Sequence, residues 1–174
     1  MSVFRRKLKV AVIGCGVIGR SWAIVFARAG AEVRLFDQNG DVALGAPTLI
    51  ANTLRAQGAK ASEIRAIQAT LTPVDSLFEA LDDAQYAQES IAETLTAKRA
   101  IFTQMDEAAP ADCILASSCS SIPPSEFLAG LDGERRTLVA HPFNPPHLIP
   151  LVELVPAPAT DPQAIARARK LLSD

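Results

Sequence analysis

KLKVAVIGCGVIGRSWAIVFARAGAEVRLFD, residues 7–37, is the stretch on which the fold turns. It opens with KLKVAVI, a near-continuous apolar run of the kind that forms a strand buried on both faces. A glycine-rich turn follows at Gly14, and then an apolar, helix-compatible stretch from Arg20 to Ala29 that Gly30 is suited to end. EVRLFD, residues 32–37, alternates like a second strand. Strand, glycine turn, helix and strand in such a short span predict two parallel strands joined by a right-handed crossover.

The turn itself, GCGVIG at residues 14–19, fits GxGxxG in the context that makes the pattern informative, directly after a strand and opening a helix. Gly14 permits the tight turn, Gly16 lets the backbone approach a pyrophosphate, and Gly19 lets helix and strand pack closely. The anion then lies at a helix N-terminus, beside Val17 and Ile18. Asp37 ends the second strand, where a carboxylate can accept hydrogen bonds from the adenosine ribose hydroxyls, with Gln38 next to it. That favours NAD over NADP as cofactor. The alternative is a turn-forming glycine cluster followed by a solvated aspartate.

Outward from this unit, helical signals fill residues 41–68 in two pieces, with Pro47 near the start of the first and Gly58 and Ser62 between them. Strands are predicted at ATLTPV (69–74), QYAQES (85–90), CILASS (113–118), TLVAH (137–141) and LVELV (151–155). Helices are predicted around 75–83, 94–108 and 124–129. The Pro-rich link PFNPPHLIP (142–150) suggests a hairpin-like return, so the last two strands should be antiparallel. Asp161 and Pro162 make a cap and first-turn proline for QAIARARKLL. The expected fold class is α/β: a Rossmann doubly wound, mainly parallel sheet with an antiparallel edge pair and a helical arm after strand 2, in one domain over residues 1–174.

Composition narrows the function classes. With 49% hydrophobic and 21% charged residues, and no apolar run near the ~20 residues of a membrane span, the chain reads as a globular domain that does not enter membranes. A net charge of -2 and 5% aromatic residues supply neither the field nor the stacking surface for nucleic acid. Arg5, Arg6, Lys7 and Lys9 precede an apolar stretch broken by glycines, which reads as strand one and not as a targeting signal. Cys15, Cys113 and Cys119 lack metal-ligand spacing and are odd in number, so no metal site is expected and a cytoplasmic location is the simplest. Cys15 and Cys119 read as small buried thiols in tight loops, with oxidant sensitivity as the alternative.

Two further clusters carry chemistry. His141 ends one predicted strand and stands twelve residues before Glu153 in the next, so a returning chain could bring them together. An imidazole held by a carboxylate is kept in one tautomer and can take a proton from a substrate alcohol, although the spacing alone is weak evidence and favours a structural pairing, or none. His147, among prolines, reads as a surface histidine. The run Ser117, Ser118, Cys119, Ser120, Ser121 follows a strand at the carboxyl edge of the sheet, where a hydroxyl could hold a substrate oxygen or cap a loop. No GxSxG elbow surrounds it.

Four segments together, VAVIGCGVIGRSWAIVFARAGAEVRLFD, QESIAETLTAKRAIFTQMD, ILASSCSSIPPSEF and HPFNPPHLIPLVELVPAPAT, resemble the 3-hydroxyacyl-CoA dehydrogenase superfamily, in its lambda-crystallin and L-gulonate 3-dehydrogenase branch. The resemblance covers nearly the whole chain. It implies that His141 is the catalytic base paired with Glu153, that Ser120 contacts the substrate oxygen with Ser117 nearby, and that Asn144 of the F-N-P turn presents its amide to the site or shapes the turn. It further implies that Glu93 and Lys98 lie near the nicotinamide end of NAD. Family members continue into a helical C-terminal domain that builds a homodimer, and no such segment lies in these 174 residues.

The arm at 41–68 has only Arg55, Lys60 and Arg65 as basic residues, where CoA-using relatives place lysines and serines, which points away from a CoA thioester. The expected function is NAD-dependent oxidation of the 3-hydroxyl of a small-molecule hydroxy acid or hydroxyacyl thioester. The rival reading is a nucleotide-binding module without turnover. A missing helical partner would leave apolar surface exposed near Leu148, Leu151 and Leu171.

Overall fold

The computed structural model describes residues 7–173; Arg5 and Arg6 lie outside the described residues. Strand β1 (Lys9–Ile13), helix α1 (Val17–Arg28) and strand β2 (Glu32–Phe36) form the anticipated βαβ unit, with β1 and β2 parallel and Lys9 opposite Glu32. The chain continues through α2 (Gly40–Ala56), α3 (Ala61–Gln68) and the short β3 (Leu71–Pro73). It returns through α4 (Leu77–Leu81), β4 (Tyr86–Glu89), α5 (Leu95–Ala108), β5 (Ile114–Ser117) and the single-turn α6 (Pro124–Phe127). It closes with β6 (Thr137–Pro142), β7 (Val152–Pro156) and α7 (Pro162–Ser173). The seven strands lie in the order β3-β2-β1-β4-β5-β6-β7, all neighbours parallel except β6 and β7, which are antiparallel. The Rossmann sheet with an antiparallel edge pair is therefore present as read from the sequence.

Alternation along each strand divides the core between the two faces. Val10 and Val12 of β1, with Val33 and Leu35 of β2, meet Trp22 and Phe26 of α1 and Ile50 and Leu54 of α2. Ala11 and Ile13 point the other way, to Leu81 of α4 and Ile101, Phe102 and Met105 of α5. All of these are essentially inaccessible to water, as a sheet covered by helices on both faces requires.

Several boundaries differ from the sequence reading. Helix α1 begins at Val17, ahead of the helix-compatible stretch from Arg20 and in line with a glycine turn that opens a helix, because Gly16 takes the N-cap position. Asn39 starts α2 by accepting a hydrogen bond from Asp41 N at 3.1 Å, which leaves Pro47 well inside the helix instead of near its start. The break between α2 and α3 falls at Gly58, in a left-handed conformation at φ +79°, while Ser62 lies within α3. Asp161 caps α7 as expected, accepting from Gln163 N at 2.8 Å.

The anticipated apolar surface is partly there. Leu148 and Leu151 are 57% and 52% exposed, whereas Leu171 is half-buried. Leu171 lines a cavity of about 550 Å³ between α1, β7 and α7 together with Trp22, Phe26, Leu154 and Leu172.

Candidate active site

Six of the seven strands are parallel, so their carboxyl ends share one edge of the sheet, and the chemistry collects there. At the end of β1 the glycine turn is built around close approaches. Gly14 has φ +93°, and a side chain on it would meet the Ser90 carbonyl oxygen at 2.8 Å. A side chain on Gly19 would stand 1.8 Å from the Gly14 carbonyl oxygen. Gly16 is the reverse case: nothing lies within 4 Å of where its side chain would be, so its outer side is open.

The first intrahelical bond of α1 runs from Arg20 N to Gly16 O at 3.0 Å, so the amides of Val17, Ile18 and Gly19 have no helix carbonyl to meet. No side chain caps this end, and Val17 is exposed. Free amide donors, the positive end of the helix dipole and an uncrowded Gly16 fit a pyrophosphate.

Asp37 braces the turn from the end of β2. Its Oδ2 accepts from Cys15 N at 2.8 Å and its Oδ1 from Asn39 N at 3.0 Å, so each oxygen keeps a lone pair for a ribose hydroxyl. Gln38 is exposed beside it. Burial, aided by the neighbouring Asp37 charge, pushes the Cys15 thiol up to about 12. Burial also pushes Cys113 up to about 12 and raises Cys119. All three thiols are buried and raised in this way, which fits the reading of Cys15 and Cys119 as packing groups.

The loops after β4 and β5 are tied together by two carboxylates. Glu93 accepts from Ser120 Oγ at 2.9 Å, Ser120 N at 3.1 Å, Ser121 N at 2.6 Å and Ser121 Oγ at 2.5 Å. Burial alone would push its pKa up, but these four donors outweigh it and hold the carboxyl at about 2, down from 4.5. The anchoring is therefore complete above pH 4.5 and is lost only as pH falls through about 2. The structure thus joins Glu93 and Ser120, which the sequence placed on separate segments.

Lys98 sits elsewhere. It is 1% exposed, beneath the β4–α5 loop, with its ammonium 2.7 and 2.9 Å from the two oxygens of Glu89 and 3.4 Å from the Ile91 carbonyl. Glu89, itself fully buried, also accepts from Ser117 Oγ at 2.6 Å and Ile91 N at 2.5 Å. The sequence reading missed Glu89. The signal was a Gln-Glu pair, residues 88 and 89, inside a strand that the parallel sheet buries on both faces.

His141 and Glu153 face each other across the antiparallel pair, in register, with Nδ1 2.9 Å from Oε2. A carboxylate only accepts, so Nδ1 carries the proton and Nε2 presents its lone pair when the ring is neutral. The imidazole is a quarter exposed at the sheet's carboxyl edge, beside the ring of Phe143 at 6.1 Å. Asn144 is exposed on the turn that follows.

His147 departs from the surface position expected of it. It is half-buried, its Nε2 is 2.7 Å from the Gln57 side chain, and Arg28 donates to its carbonyl at 3.3 Å. Burial, with Arg28 nearby, lowers its basicity. The Pro-rich loop wedges it between α1 and α2, a tertiary contact that composition does not reveal. Among the described residues no three His, Cys, Asp or Glu side chains are grouped to hold a metal.

Residues 9–174 match the family described as 3-hydroxyacyl-CoA dehydrogenase, NAD binding domain. The chain belongs to the 3-hydroxyacyl-CoA dehydrogenase family. Within it, the chain is 41% identical to the lambda-crystallin homolog of Bos taurus, over 94% of its own length and 52% of the relative's. It is 40% identical to L-carnitine dehydrogenase of Streptomyces griseus, over 90% of this chain and 47% of that one. The solved structure of FadB2 from M. tuberculosis superposes with a TM-score of 0.89 at 33% identity, covering 96% of this chain and 60% of that one. The 3-hydroxybutyryl-CoA dehydrogenase of Escherichia coli gives 0.87 at 28% identity, covering 97% and 36%. The chain spans about half the length of the curated lambda-crystallin relatives it matches. It is the NAD-binding domain of a 3-hydroxyacyl-CoA dehydrogenase family protein, with NAD as the cofactor.

Proposed function

We propose that this domain supplies the cofactor site and the proton-transfer pair of a dehydrogenase that oxidises the 3-hydroxyl of a hydroxy acid or hydroxyacyl thioester. The observation that carries the reading is the His141–Glu153 pair at the carboxyl edge of a sheet whose first turn is open to a dinucleotide. NAD, when bound, accepts hydride from the substrate carbon. The amides of Val17, Ile18 and Gly19, with Gly14 and Gly16, hold the pyrophosphate, and Asp37, flanked by Gln38, takes the adenosine ribose. Nε2 of His141 takes the hydroxyl proton, and Glu153 holds the ring in the required tautomer and balances the charge that develops on it. Ser120, oriented by Glu93, positions the reacting oxygen. Asn144 borders the substrate side of the same edge. Lys98 acts from below, through Glu89, on the loop that carries Glu93.

The substrate is a small molecule, and both acid and thioester are retained because the relatives' names include L-carnitine dehydrogenase and 3-hydroxybutyryl-CoA dehydrogenase. The shortage of basic residues on α2 and α3 favours the free acid. Through the family resemblance we assign a helical second domain and a homodimer to the full-length protein, in the cytoplasm, with no role for nucleic acid or membrane. Exposed Leu148 and Leu151 give apolar surface for such an assembly.

The test is NAD reduction across paired 3-hydroxy acids and their CoA thioesters. Turnover of at least one of the two classes is expected, with His141 taking the hydroxyl proton. NAD binding with no turnover of either class would replace this proposal with a binding module.

A further inference from the structure

Ser118, the residue after β5, is the meeting point of a buried polar network. Trp22 of α1 donates its indole N–H to Ser118 Oγ at 3.1 Å, and Gln88 of β4 donates its amide N–H to the same oxygen at 2.8 Å. Ser90 Oγ lies 2.8 Å from it.

Chemistry fixes the direction of each bond. An indole N–H only donates. The Gln88 amide nitrogen also faces the Ala140 carbonyl oxygen at 3.3 Å, which only accepts, and its amide oxygen receives the Tyr86 hydroxyl at 2.7 Å. The amide of Gln88 is therefore locked. Ser118 accepts twice, both its lone pairs are used, and its one proton goes to Ser90. Ser90 accepts that bond and keeps its own O–H, for which no acceptor is found among the described residues.

Ser90 stands at a telling place. Its N donates to Ile13 O at 2.7 Å, and its carbonyl packs against Gly14. The sheet order reverses between β1 and β4, and Ser90 sits at that boundary, where open α/β sheets bind ligands beyond their carboxyl ends. The β1 turn takes the pyrophosphate, and Asp37 on the β2 side takes the adenosine ribose. What reaches the β4 side is then the other half of the dinucleotide.

We propose that Ser90 is a binding residue for the nicotinamide half of NAD, its hydroxyl donating one hydrogen bond to an oxygen of the nicotinamide-side ribose. The Trp22, Gln88 and Ser118 side chains aim that proton outward. This rests on the dinucleotide reading of the glycine turn given above.

Calorimetric titration with NAD and with ADP, which lacks the nicotinamide half, separates the possibilities. Ser90→Ala should weaken NAD by about 2- to 10-fold, the worth of one neutral hydrogen bond, and leave ADP unchanged. The substitution also strips Ser118 of its acceptor, so some loss of thermal stability accompanies it; the ratio of NAD to ADP affinity is insensitive to that loss. Ser90→Cys keeps the size but donates weakly, and it should lower the same ratio even if the alanine variant does not fold. Where the wild type binds NAD, a ratio left unchanged in the two variants, parallel weakening of NAD and ADP included, would overturn the Ser90 assignment alone. A wild type that binds neither ligand would overturn the dinucleotide reading and this inference with it.

Discussion

Replacing His141 by glutamine is expected to lower the turnover number for a 3-hydroxy substrate by about 10²- to 10⁴-fold, the usual contribution of a positioned general base. Glutamine keeps a polar group opposite Glu153 across the β6–β7 pair but has no atom that takes up a proton at neutral pH. NAD affinity should stay close to wild type, because the glycine turn and Asp37 lie on β1 and β2, three and four strands from β6 in the sheet. Steady-state kinetics beside NAD titration read the two effects separately. A loss of turnover below about tenfold would remove His141 from the chemistry.

Lys98→Met is expected to cost about 3–5 kcal/mol of folding stability, the penalty for leaving one member of a buried pair without its partner. Glu89 would then hold a carboxylate at 0% exposure with only Ser117 and Ile91 to offset it. The double variant Lys98→Met with Glu89→Gln removes the uncompensated charge and should recover much of that loss, giving a large coupling energy in a double-mutant cycle. Chemical denaturation measures all three variants. A cost below about 1 kcal/mol for the single variant, the range of solvated pairs, would contradict the buried arrangement.

The parts of this molecule that the sequence announces are the chain-local ones. From β1 to β2, each element follows its predecessor within a few residues, so periodicity and glycine placement suffice. Even there the start of α1 is marked only by the glycine pattern, since Gly16 caps without a side chain and leaves no Ser, Thr, Asp or Asn as a marker. The candidate site is legible only in residue types. His141 and Glu153 are visible as a spacing, but their register is set by how the loop from Phe143 to Leu151 closes, with Phe143 N bonded to Leu151 O at 3.0 Å. The Glu89–Lys98 and Glu93–Ser120 pairings, and the network through Ser118, join residues on different strands and helices that only the folded sheet makes adjacent. Polar residues in a doubly buried strand were the one hint, and they pointed to buried partners without naming them.

Isothermal titration of this chain with NAD and with NADP tests whether the glycine turn and Asp37 bind NAD. NAD should bind in preference to NADP, because the Asp37 carboxylate would meet the 2′-phosphate of NADP with like charge. Gly16→Val should abolish binding by filling the open side of the turn, and Asp37→Ala should weaken it. No binding of NAD, or binding that survives Gly16→Val, would rule out the glycine turn as the dinucleotide site.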